Sequence, residues 1–190
     1  GIMSERDGGN VAGGVSYCHE QSKQFADYIL ALPRQNGCPM RNAFDPAAIP
    51  SLLPRIILRE RQADGTYRYR LAGTELQTYF GQELTGKSLD SWVGEQAVGP
   101  LQTAFDRMVE HPCGQVNVIN LSYGSDLPTL LECVTFPFAG PTPAQLITHV
   151  AVLNSPLDLQ QVQTAQAGPM NRLEGIDLGA GVADFSDITW

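Results

Sequence analysis

The chain has 190 residues, 43% of them hydrophobic, and a formal net charge of −8. That length suits one domain with added segments, and the apolar share is enough for one core. An acidic chain without a Lys/Arg run is a poor match for nucleic acid or an anionic membrane surface, and no apolar stretch nears the ~20 residues of a spanning helix.

The start, Gly1 to Gly14, is polar and Gly-rich and lacks the apolar core of a signal peptide, so a cytoplasmic location is expected. Residues 1–19 are expected to be disordered. Phe25, Tyr28, Ile29 and Leu32 then fall at i, i+3, i+4 and i+7, which predicts a helix over Glu20–Leu32 ended by Pro33. Asp45-Pro46 is a helix start, kept short by Pro50 and Pro54.

Arg55–Glu60 predicts a strand, and Asp64-Gly65 a hairpin turn. In the next strand Tyr67, Tyr69 and Leu71 alternate with Arg68 and Arg70. A short helix to Phe80 stops at Gly81. Glu95–His111 is the longest helix of the middle section, with Pro100 marking a possible later start and Pro112 the end. Three strands follow, Gln115–Tyr123, Thr129–Phe138 and Gln145–Leu153, joined by Gly- and Pro-rich turns. Beyond them the periodicity is weak. Residues 154–190 are expected to form a helix near Leu157–Thr164 or an extended tail.

Two coupled strands, a helical excursion and a three-strand meander predict an α+β domain over residues 20–153, with an antiparallel sheet and helices on one side. Strict β-α-β alternation is missing, which argues against a parallel sheet.

Short motifs in that same order carry a family likeness. Phe80-Gly81-Gln82-Glu83-Leu84-Thr85-Gly86-Lys87-Ser88-Leu89 resembles the turn segment of PAS domains. Phe44-Asp45-Pro46-Ala47-Ala48-Ile49-Pro50 and Arg68-Tyr69-Arg70-Leu71-Ala72-Gly73-Thr74-Glu75-Leu76 are similar to a PAS-like family common in alphaproteobacteria. The resemblance implies a five-stranded antiparallel sheet with helices packed on one face, here with an extra N-terminal helix. It also implies a sensory or interaction module, in which a small ligand is enclosed between sheet and helices or two copies pair.

Other chemistries find little support. Gly81-x4-Gly86-Lys87-Ser88 matches a phosphate-binding loop letter for letter, but a helix precedes it and Glu83 would place a carboxylate in the cradle. His19, His111 and His149 form no HxxxH, and Cys18, Cys38, Cys113 and Cys133 form no CxxC pair, so no metal or cofactor is expected. A nucleophile elbow is missing too, so no catalytic residue is assigned. The candidate ligand-binding residues are Tyr69, Trp92, Phe105 and Met108, from elements that enclose the cavity of such domains, with His149 as a polar anchor. A filled core explains the same residues, as a structural dimerisation module, and an enzyme using the same cavity is the third reading. A homodimer is expected through Phe25, Tyr28, Ile29 and Leu32. Any output would lie on a partner or on that dimer.

Overall fold

The computed structural model describes residues 11–12, 14–91, 93, 95–122, 129–154 and 166–188. Six strands form the main sheet: β1 (Ile56–Arg61), β2 (Tyr67–Ala72), β3 (Gly114–Ser122), β4 (Thr129–Pro137), β5 (Gln145–Asn154) and β6 (Gln166–Ile176). Their spatial order is β6-β3-β4-β5-β1-β2, and each neighbouring pair is antiparallel. The five strands expected from alternation lie within a residue or two of their expected bounds. The sixth comes from the segment that looked like a tail. It pairs along β3 from Gln166↔Ser122 to Ile176↔Gly114, with two register shifts that blur its alternation. The helix expected near Leu157–Thr164 lies outside the described residues.

The β1–β2 hairpin turns as its sequence dictates. Gly65 takes φ 85°, and the Asp64 carboxylate accepts from both the amide and the hydroxyl of Thr66. In β2, Tyr67 and Tyr69 are buried together, but Leu71 does not join them. A register shift between Leu58↔Leu71 and Arg59↔Tyr69 inserts Arg70, and the bulge turns Leu71 to the opposite face, where it is 56% exposed.

Both faces of the sheet are covered, so its central strands are buried almost throughout. In β4, Leu131 and Cys133 face one side, and Glu132, Val134 and Phe136 the other. Helices α2 (Leu76–Phe80) and α3 (Glu95–Glu110) belong to the first side. Helix α3 runs through Pro100 rather than starting there, and buries Leu101, Ala104, Phe105 and Met108, an i, i+3, i+4, i+7 stripe.

Helix α1 (Glu20–Leu30) covers the second side. Its N-cap is His19, whose Nδ1 accepts from the Gln21 amide at 3.0 Å. Phe25, Ala26 and Ile29 are fully buried against the chain's own β4 and β5, and the Phe25 ring lies 6.0 Å from that of Phe136. This corrects the expected dimer contact. Phe25 and Ile29 are already occupied within one chain, and Tyr28 and Leu32 pack at the edge of the same cluster.

Residues 14–19, expected to be disordered, are also packed. Val15 and Tyr17 are buried, and the buried carboxylate of Glu132 accepts the amides of Cys18 at 2.8 Å and His19 at 3.0 Å. Arg172 of β6 lies 3.7 Å from the same carboxylate and donates to the Ser16 carbonyl. After β6 the chain folds back over both sides. Leu178 joins the α1 cluster, while Ala183 and Phe185 join the α3 cluster. Arg107 of α3 ties this segment down through Asp187 and the Asp184 carbonyl.

Candidate functional site

Three of the five residues expected at a ligand site come together. Tyr69, Phe105 and Met108 share the core between α3 and the sheet, each at most 1% exposed. Trp92 lies outside the described residues. His149 is on the other side of the sheet, under α1. It sits opposite Ile56 and Val134, and its ring stacks on Phe25 at 5.6 Å. In a strand buried on both faces, the neighbours Thr148 and Val150 point under α3 and His149 does not. Burial, with the charges of Arg55 and His19, pulls its pKa down to about 3, so the ring is neutral. It therefore does not anchor the same site as Tyr69 and Phe105.

The polar residues under α3 are different ones. Gln115 of β3 stands opposite Thr135 of β4, which stands opposite Thr148 of β5. All three are buried, and the two threonine hydroxyls are 2.7 Å apart. Arg59 of β1, 4% exposed, reaches back to donate to Thr148 Oγ1 at 2.6 Å. Its guanidinium lies 4.7 Å from the Phe105 ring centre and 5.4 Å from that of Tyr69. Aromatic faces attract a cation, but they do not neutralise it. Among the described residues no carboxylate pairs with Arg59. Arg59 Nε and Gln115 Nε2 are buried N–H groups without a hydrogen-bond partner there. Asn117 donates to Gln115 Oε1 at 3.1 Å, which completes a row rich in donors.

Arg59 was missed in the sequence reading, although a signal existed. It is two residues from Ile57 and so shares that residue's face, which puts a charge on a face that must be buried.

Acid–base chemistry has few actors on this face. Among the described residues the buried set includes one acid, Glu132, which points to the α1 side. Asp106 at the rim accepts from Tyr67 Oη and lies 3.5 Å from Arg61. The Cys133 thiol is pushed up to about 12 by burial, against the pull of Arg59, so it is a thiol and not a nucleophilic thiolate.

The phosphate-loop match dissolves in the fold. Phe80 ends a helix, Gly81 caps it in the left-handed conformation, and Leu89–Ser91 is a single 3₁₀ turn. The amides of Thr85, Gly86 and Lys87 are taken by Glu83, Tyr69 and Leu84, so they cannot cradle phosphate. His111 is exposed at the end of α3 and bonds to the Ala180 carbonyl at 2.9 Å, facing away from the sheet. Elsewhere an open groove of about 280 Å³ lies on the α1 side near Phe44, Leu58, Leu71 and Phe138, with Arg41 over two of its rings. No described helix is long and apolar enough to cross a membrane.

Comparison with known proteins agrees with this architecture. No curated protein matches the chain. The PAS domain family matches residues 17–147, which takes in α1, the two-strand hairpin, α2, α3, β3, β4 and the start of β5. With the antiparallel sheet, the helical excursion after β2 and the long α3 in place, the chain belongs to the PAS domain family.

Proposed function

We propose that this chain is a sensory module that takes a small molecule between α3 and the sheet and has no catalytic output of its own. One observation carries the reading. A buried polar row, Arg59, Thr148, Thr135 and Gln115, lies inside an apolar shell that includes Tyr69, Phe105 and Met108. Ligand sites are built this way, with few polar anchors in an apolar surround. A core filled only for stability gains nothing from polar groups left without partners, since each costs about 1–3 kcal/mol.

The test is native mass spectrometry of the full chain purified from cells, compared with the denatured protein. A stoichiometric small molecule released on denaturation supports the reading. A bare chain that also takes up nothing from a metabolite extract rejects it. A contact between copies through Phe25 and Ile29 is not part of this proposal, because both are used inside one chain.

A further inference from the structure

We infer that the interior under α3 binds a small organic carboxylate, with the Arg59 guanidinium as its counter-ion and the Gln115 amide as an adjoining donor. This rests on the ligand-binding reading above and adds the class of ligand.

The argument starts from charge. A guanidinium stays protonated, and burying it without a partner is costly. Arg59 is 4% exposed, yet no described carboxylate reaches it, and its one hydrogen-bond acceptor among the described residues is the hydroxyl of Thr148. Three acids on the same or neighbouring elements, among the described residues, are engaged elsewhere. Glu60 holds Arg70 and Gln145, Asp106 holds Tyr67 and Arg61, and Glu132 faces α1. The row is also unbalanced in hydrogen bonding. Arg59 Nε and Gln115 Nε2 are donors without acceptors among the described residues. An incoming oxygen-rich anion would correct both imbalances at once.

The chemistry narrows the anion. A planar carboxylate matches the guanidinium fork. One positive charge balances one negative charge, whereas a phosphate dianion would leave excess charge buried. The rings of Tyr69 and Phe105 lie against Arg59, and Met108 belongs to the same apolar cluster, so the remainder of the ligand is apolar. Polar anchors at one end and apolar walls around it discriminate acids from their neutral analogues, because an unpaired buried charge penalises the wrong ligand.

The experiment titrates the full chain with benzoate, phenylacetate and hexanoate, each against its own amide, and with inorganic phosphate, by calorimetry at constant ionic strength. At least one acid is expected to bind tenfold or more tighter than its amide. Arg59→Met is expected to weaken that acid by about 30-fold and to erase the preference over the amide, as loss of one partner of a buried charged pair does. Arg59→Lys is expected to keep part of it. Circular dichroism and thermal melts check that both variants fold; Arg59→Met removes an unpaired charge and is expected to fold.

Equal binding of acid and amide, or an acid preference kept in Arg59→Met, overturns the inference while leaving the ligand-binding reading intact. Tighter binding of phosphate than of every acid overturns the carboxylate class. A neutral molecule as the co-purifying ligand also overturns it and still supports a sensory site. No binding by any acid, together with a bare chain in native mass spectrometry, rejects both.

Discussion

Lowering the pH should loosen α1 from the sheet, and His149 sets the size of the effect. Its ring is fully buried, stacked on Phe25, and neither ring nitrogen has a hydrogen-bond partner among the described residues. Its pKa is about 3 in the folded chain, lowered first by burial and then by the charges of Arg55 and His19. An unfolded histidine titrates near 6.5, so below that pH the unfolded chain binds a proton that the folded chain refuses. This contribution is fully present above about pH 6.5 and is lost as the pH falls towards about 3, with a limiting slope of ~1.4 kcal/mol per pH unit. Between about pH 7.5 and about pH 5 the loss from this one residue is about 2 kcal/mol. Urea denaturation at a series of pH values, for wild type and His149→Leu, isolates it from the carboxylates common to both. The variant should be more stable by on the order of 1 kcal/mol at neutral pH, because two unsatisfied polar atoms leave the core. The gap between the two proteins should widen by about 2 kcal/mol on going to pH 5. Parallel curves would refute the reasoning, as would an NMR titration in which His149 of the folded protein protonates near the ordinary histidine value.

Other consequences can be checked alongside. Phe105 is buried edge-to-face with Tyr67 at 5.3 Å, so Phe105→Ala should cost about 3–5 kcal/mol in urea melts of the ligand-free chain; a loss below about 1 kcal/mol would contradict that packing. Glu132→Ala leaves the amides of Cys18 and His19 without their acceptor and takes a carboxylate away from Arg172, which keeps Glu174 and the Ser16 carbonyl, and should cost about 3 kcal/mol or more. Hydrogen exchange at Cys18 and His19 should rise well above that of α1 in that variant, and unchanged protection there would contradict the role given to Glu132. A chain ending at residue 154 lacks β6 and uncovers the edge of β3, losing Ile176, Leu178 and Phe185 from the core. Three buried side chains at about 1.5–3 kcal/mol each approach the whole stability of a domain, so sedimentation and circular dichroism should find the fragment aggregated or partly unfolded. A cooperative melt within a few degrees of the full chain would count against that role for β6.

Much of the fold was present in local patterns. The stripe at Phe25 and Ile29 gave α1, the stripe at Leu101, Phe105 and Met108 gave α3, and Asp64-Gly65 gave the first hairpin, because turn chemistry and helical periodicity are properties of neighbouring residues. The PAS-like order followed from these pieces. What covers each apolar stripe was not local. The stripe of α1 is equally suited to a second copy or to the chain's own sheet, and only the fold shows that β4 and β5 lie beneath it. The same limit misplaced His149. Where both faces of a strand are buried, residue type no longer distinguishes them, so Thr148 and His149 look alike in sequence and end on opposite sides. The bulge at Arg70 turned Leu71 out of the tyrosine row for a similar reason, since register is decided by the partner strand. The last strand was lost to the eye because its pairing spans from residue 114 to residue 176 and its alternation is broken twice. The sequence by itself therefore determined which elements form and in what order. Tertiary structure alone decided which face each buried residue joins, and with it the meeting of Arg59 with Thr148, Tyr69 and Phe105, because those contacts depend on strand pairing between segments distant along the chain.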